Sequence, residues 1–156
     1  MLLTRTLDAD EVRRRAEQLL ALQRAAYAVE ARLIGDDRIP PLHESERDLT
    51  DAQLEWVATF DGEAIAGAVG YTIEADTVDL DRLMIDPAYH RMGLGTALVT
   101  RVMSSAPRTI VSTGRENAPA RALYERLGFA HDGDAEPVPG LWVSRYHRDA
   151  VDPRPG

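Results

Sequence analysis

The sequence predicts an α/β (α+β) fold: a mixed, mostly antiparallel central sheet with one bulged strand, flanked by helices. Three observations carry this. Alternating apolar residues on either side of Asp61-Gly62 mark a hairpin, whose strands must be antiparallel. Two helix-period stripes follow, separated by a strand. The resulting order, β, long α, three β, α, β, α, β, does not fit a doubly wound parallel sheet.

In chain order, residues 2–7 read as a short strand, and Asp8-Ala9-Asp10-Glu11 supplies a capping-box helix start, with Glu three residues after the Asp cap. One long helix is expected from there. Leu19, Leu22, Ala26, Val29 and Leu33 recur at spacings of three and four, and Gly35 is placed to end the run. The prolines of Ile39-Pro40-Pro41-Leu42-His43-Glu44-Ser45 forbid its continuation, so this stretch is expected as a loop. Leu54, Trp56, Ala58 and Phe60 form the first hairpin strand, and Ile65, Gly67, Val69, Tyr71 and Ile73 form its return.

A third strand begins near Thr77. Val78 and Leu80 share one face, yet Leu83 and Ile85 fall on the opposite parity, and such a phase slip around Asp81-Arg82 is what a β-bulge produces. Met84 keeps the earlier phase. Leu94, Ala97, Leu98 and Val102 then make a helical stripe, Thr109 to Thr113 a strand, and Ala118, Ala122, Leu123 and Leu127 a second short helix opened by Asn117 and closed by Gly128. Leu141 to His147 alternates as a final strand.

The 156 residues suit one domain over 1–148, because no linker, repeat or low-complexity run interrupts them; residues 149–156 have the composition of a frayed tail. A net charge of −8 disfavours a nucleic-acid partner, whose phosphates need concentrated Lys and Arg. All eighteen basic residues are Arg, which removes every lysine-based mechanism. With no Cys there is neither a disulfide nor a thiolate nucleophile or ligand, and no metal site is expected. The first residues do not resemble a signal peptide and no apolar stretch approaches the ~18 residues of a membrane span, so a cytoplasmic location is expected.

The stretch His90-Arg91-Met92-Gly93-Leu94-Gly95-Thr96 lies between the third strand and a helix. A dinucleotide fingerprint would need a third glycine where Leu98 stands, and a P-loop would need a lysine. What the residues allow is an anion cradle, in which small residues admit a ligand to the free N–H groups of a first helical turn, or a plain strand-to-helix turn.

Leu83-Met84-Ile85-Asp86-Pro87-Ala88-Tyr89-His90-Arg91-Met92-Gly93-Leu94-Gly95-Thr96-Ala97-Leu98 resembles the acetyl-coenzyme A motif of GNAT superfamily N-acetyltransferases, [QR]-x-x-G-x-[GA] after a bulged strand. Asn117-Ala118-Pro119-Ala120-Arg121-Ala122-Leu123-Tyr124-Glu125-Arg126-Leu127-Gly128-Phe129 is similar to the same family's N-x-x-A-x-x-L-Y-x-x-x-G-F segment. The two motifs stand in the family's order. His90 departs from the Gln or Arg usual at the first motif position, with Arg91 beside it.

The resemblance implies direct transfer of an acetyl group from acetyl-CoA, with no metal, to an amine of a small molecule or peptide. Residues 90–96 would hold the pyrophosphate, backbone groups of Leu83, Met84 and Ile85 the pantetheine arm, and Asn117 would reach the cofactor unless it only caps its own helix. Tyr124 matches the position whose hydroxyl donates to the departing sulfur. The base has less support: Ser112 stands where some members carry Glu, leaving Asp79 and Asp81 on the bulged strand, with Glu74, expected in the turn before that strand, a weaker third. Tyr27, Glu30, His43 and Glu44 lie in a segment similar to a GNAT subgroup and are expected on the acceptor side. Homodimers are common in the family. Two other readings compete: a CoA-binding sensor without turnover, and a transferase using another acyl-CoA.

Overall fold

The computed structural model describes residues 1–150. In chain order the elements are β1 (Leu2–Leu7), α1 (Ala9–Arg14), α2 (Ala16–Ile34), a 3₁₀ turn (Pro40–His43), α3 (Glu46–Asp51), β2 (Glu55–Asp61), β3 (Ala64–Glu74), β4 (Thr77–Ile85), a second 3₁₀ turn (Pro87–Tyr89), α4 (Leu94–Met103), β5 (Arg108–Gly114), α5 (Ala118–Arg126), β6 (Ala130–Val138) and β7 (Leu141–Asp149). The sheet order is β1-β2-β3-β4-β5-β7-β6. Every neighbouring pair is antiparallel except β4 and β5.

Strand alternation sends side chains to two cores, one on each face of the sheet. Trp56, Ala58 and Phe60 pack with Leu19, Leu20, Leu22 and Leu49 beneath α2 and α3, while Val57 and Val69 pack with Leu98, Val99, Val102 and Tyr124 beneath α4 and α5. The expected phase slip in β4 is a bulge. Leu80 pairs with Tyr71 and Arg82 with Gly70, so Asp81 is the extra residue. Before it, Val78 and Leu80 belong to the α4 side; after it, Leu83 and Ile85 take that side and Met84 is buried in the other core. Met84 therefore has not kept the earlier phase, because the slip carries it across the sheet.

Five expectations are corrected. The first long helix is broken at Arg15, whose backbone leaves the helical region (φ −103°, ψ 14°). Asp8 does accept the Glu11 N–H at 2.8 Å, but the Glu11 carboxylate serves Arg5 and Arg15 instead of closing the box. The proline-rich stretch coils into a 3₁₀ turn, and α3 follows it, capped by reciprocal Ser45 and Asp48 bonds and anchored by the fully buried Leu49. Glu74 ends β3 instead of lying in a turn. Finally, β6 forms from the unpromising Ala130-His131-Asp132-Gly133-Asp134, as an edge strand paired only to β7 with irregular register.

Of the tail expected from residue 149, Asp149 ends β7 and the Ala150 N–H donates to the Pro107 carbonyl at 2.6 Å. Residues 151–156 lie outside the described part.

Candidate active site

The parallel pairing of β4 and β5 runs from Thr77↔Arg108 to Leu80↔Val111 and stops at the bulge. Beyond it, among the described residues, the β5-facing edge of β4, including Leu83, Met84 and Ile85, carries no strand. Its N–H and C=O groups are free for an extended ligand to add as a short strand.

Past the end of β4 the chain turns into α4. Arg91 (φ +66°) and Gly93 (φ +77°) are both left-handed, which winds the loop so that successive N–H groups point inward. Among the described residues no backbone N–H from Arg91 to Thr96 finds an acceptor; the ladder begins with Ala97, which donates to the Gly93 carbonyl at 3.1 Å. Gly93 is needed for its φ. At Gly95 space is tight, since a Cβ there would lie 3.3 Å from a methyl group of Leu123 on α5. These amides and the positive end of α4 make the anion cradle, and Arg91 adds the side-chain charge. Ahead of it, the Tyr89 hydroxyl donates to Asp61 at 2.6 Å, pinning the 3₁₀ turn to the β2–β3 hairpin.

The cradle opens into a cleft of about 550 Å³ that gathers Tyr27, Glu30, Leu83, Ile85, His90, Arg91, Gly93, Leu94, Gly95, Thr96 and Asn117. Met84 does not line it, because its side chain is in the opposite core. Met92 is exposed beside it. The Asn117 side chain accepts the Ala120 N–H at 3.2 Å, so it does cap α5 while lining the cleft.

Tyr124, buried on α5, does not itself line this cleft, although Ala120 and Leu123 of the same helix do. Its ring meets Phe129 edge-on at 5.4 Å and Tyr146 at 6.0 Å. The left-handed Gly128 (φ +88°) lets the chain turn so that the Phe129 N–H returns to the Tyr124 carbonyl at 3.0 Å, which ties Tyr, Gly and Phe together at this spacing. Burial, reinforced by the Glu30 charge, pushes the Tyr124 phenol well above its ordinary value. The same two causes raise Tyr27, which also feels Arg82, Tyr124 and Asp81.

Asp79 and Asp81 line a second cleft of about 470 Å³ with Ser112 of β5, Asp132 of β6 and Arg145 of β7. Burial, then the Asp81 charge, raises the Asp79 carboxyl above its usual range. Asp81 also accepts from Arg82 Nε at 2.7 Å.

The acceptor-side expectations divide. Tyr27 and Glu30 reach the cleft beside the α4 loop, where Glu30 Oε1 accepts from the Gly114 N–H at 3.1 Å and the Thr113 hydroxyl at 3.2 Å. Glu44 is instead paired with the chain's own Arg82, 2.7 Å away. The exposed His43 uses its ring nitrogen on the Asp37 carbonyl at 2.7 Å, a stitch within the loop. Sequence reasoning missed Arg82 and Gln23, both buried, with Arg82 Nη1 donating to Gln23 Oε1 at 2.9 Å. The available signal was an arginine at an inward position between Leu80 and Met84.

Among the described residues no helix is long and apolar enough to cross a membrane.

Comparison with known proteins agrees with this geometry. UPF0157 protein YqkA of Bacillus subtilis is 30% identical over 135 residues, 85% of this chain and 39% of that protein, so the chain spans about two fifths of that relative. The structure of ribosomal-protein-S18-alanine N-acetyltransferase from Escherichia coli superposes with a TM-score of 0.76 at 18% identity, over 100% of both chains. PaiA N-acetyltransferase of Thermoplasma acidophilum, in complex with coenzyme A, superposes with a TM-score of 0.73 at 16% identity, over 93% of this chain and 98% of that one. The family model described as "Acetyltransferase (GNAT) family" matches residues 16–129, and the chain belongs to that family.

Proposed function

We propose that the chain is an acetyl-CoA-dependent N-acetyltransferase that moves an acetyl group directly to the amine of a small molecule or peptide. The observation that carries this reading is the run of unpartnered amides from Arg91 to Thr96 at the mouth of a cleft lined by Leu83 and Ile85 of β4 and by Leu123, the neighbour of the buried Tyr124. The solved neighbours with coenzyme A bound and with an N-acetyltransferase name support it.

The residues fit the thioester substrate. The cradle amides and Arg91 hold its pyrophosphate, and the β4 edge from Leu83 to Ile85 takes the pantetheine amides. The thioester then reaches the bulge. An acceptor amine with a pKa of ~10 arrives protonated and loses its proton to Asp79 or Asp81, directly or through water. Its nitrogen attacks the acetyl carbonyl carbon to form a tetrahedral intermediate, the nitrogen gives up its second proton to solvent, and as the C–S bond breaks the electron pair leaves on sulfur as a thiolate. Tyr124 answers that charge with its hydroxyl. Burial raises the phenol, so it stays protonated and donates its hydrogen bond as negative charge grows on the sulfur.

Ser112, exposed on β5, has no carboxylate at the position where some family members carry Glu. This favours one competing reading, a CoA-binding module without turnover. Thermal shift with CoA and with acetyl-CoA, followed by thiol release across a panel of amines, separates the two. Transfer requires stabilisation by both nucleotides and thiol release with at least one amine; stabilisation without release across primary, N-terminal and polyamine acceptors rejects it.

A further inference from the structure

We propose that α2 is a strut that fixes the width of the slot between β4 and β5, and that by holding Tyr27 over this slot it restricts the thioester to short acyl chains. The proposal rests on the acyl-CoA reading of the same slot. Once their pairing ends, β4 and β5 have no hydrogen bonds to each other, and α2 is attached to both. Gln23, fully buried, holds Arg82, two residues past the last β4 pair. Glu30 holds Gly114 and Thr113, past the last β5 pair.

Gln23 and Glu30 are seven residues apart, about 10 Å along a helix axis. Paired strands are ~4.8 Å apart. Two turns of helix between hydrogen-bonded feet cannot shorten, so they hold the strands at a separation that pairing would close. The β5 foot is also a stop. A Cβ on Gly114 would lie 2.7 Å from Ile34 and 3.2 Å from Glu30, so helix and strand already touch there. At the β4 foot Gln23 is locked on its other side, its amide donating to the Pro41 carbonyl at 2.7 Å and to Glu44 at 2.8 Å.

Tyr27 follows Gln23 by four residues and precedes Glu30 by three, so all three share one helix face. It packs with the core on the α2 side of the sheet, whereas Tyr124 belongs to the core on the other side. Tyr27 nevertheless lines the same cleft as Leu83 and Ile85 of β4, so it faces the slot from the α2 side. With the sulfur at Tyr124, the acyl carbons lie under Tyr27. Chain length is then limited by how far α2 stands from the sheet.

The test is the affinity ratio for acetyl-CoA over butyryl-CoA, measured by calorimetry without any acceptor. The wild type should prefer acetyl-CoA by about tenfold or more, the discrimination that a shaped pocket gives against extra methylenes. Glu30→Gln keeps an oxygen acceptor for Gly114 and should keep the ratio. Glu30→Ala frees the foot, Gly114→Ala pushes it away, and Tyr27→Ala opens the roof; each should lower the ratio at least ~5-fold. Gly114→Ala and Tyr27→Ala carry the test if Glu30→Ala does not fold. An unchanged ratio in the folded variants, with unmodified CoA still bound, overturns the strut alone. Loss of CoA binding by the wild type would instead remove the reading on which it rests.

Discussion

Arg82 Nη1 lies 2.7 Å from Glu44 Oε1, and this shielded ion pair ties the bulged strand to the loop after α2. Burial works against the Arg82 charge, but Glu44 and Asp81 outweigh it and hold the guanidinium firmly protonated. Breaking such a pair from one side strands the other charge, whereas removing both costs less. Arg82→Met should destabilise by about 3–5 kcal/mol in urea unfolding, and Arg82→Met with Glu44→Gln should recover a substantial part. A double variant no better than the single one would mean that Gln23 and Asp81, not Glu44, need the arginine.

Acid should loosen the other end of the molecule. The Glu11 carboxylate takes two bonds from Arg5, at 2.6 and 2.7 Å, and one from Arg15 at 2.9 Å. The Arg5 bonds come first among the causes that lower its pKa from 4.5 to about 2. A depressed carboxylate stabilises the fold above its unfolded value, and that contribution is lost as pH falls through the folded one. The stability advantage of wild type over Glu11→Gln should be complete above pH 4.5 and decline towards pH 2. Denaturation midpoints that run parallel through this window would refute the assignment.

For the cradle, backbone and charge can be separated. Gly93→Ala forces a side chain into left-handed backbone at a cost of about 1–2 kcal/mol, and should weaken CoA binding along with stability. Arg91→Gly does the reverse: it relieves a non-glycine residue at φ +66° while deleting the guanidinium. Since the amides supply most of the donors, Arg91→Gly should weaken CoA binding less than Gly93→Ala does, by calorimetry. The opposite order would make Arg91 the principal phosphate ligand.

Sheet, bulge and cradle were legible because each rests on a local rule. Parity showed the slip at Asp81, the glycines showed the loop, and Tyr, Gly and Phe at fixed spacing showed the end of α5. What escaped depends on tertiary partners. β6 has little strand propensity of its own and exists because β7 offers an edge. α3 has a single buried apolar residue, Leu49, and so shows no stripe. The fate of Glu44 was hidden because its cation lies 38 positions away, across an element boundary that no periodicity marks.

The proton assignments make the last prediction. Tyr124→Phe keeps the ring that packs on Phe129 and Tyr146 and removes only the hydroxyl. It should lower kcat by about 10²-fold, with thermal stability and the KM for acetyl-CoA little changed. Because burial and Glu30 raise the phenol, wild type should show no alkaline limb from it at pH 10 or below. The acidic limb reports the base. Burial and the Asp81 charge raise Asp79, so a rate that needs Asp79 ionised should rise with pH above the ordinary carboxylate range of about 4. Asp81→Asn removes the like charge and should move this limb to lower pH, while Asp79→Asn should lower kcat and abolish the limb. If the limb instead survives Asp79→Asn and vanishes with Asp81→Asn, the bulged aspartate is the base, and its bond to Arg82 is what aims it.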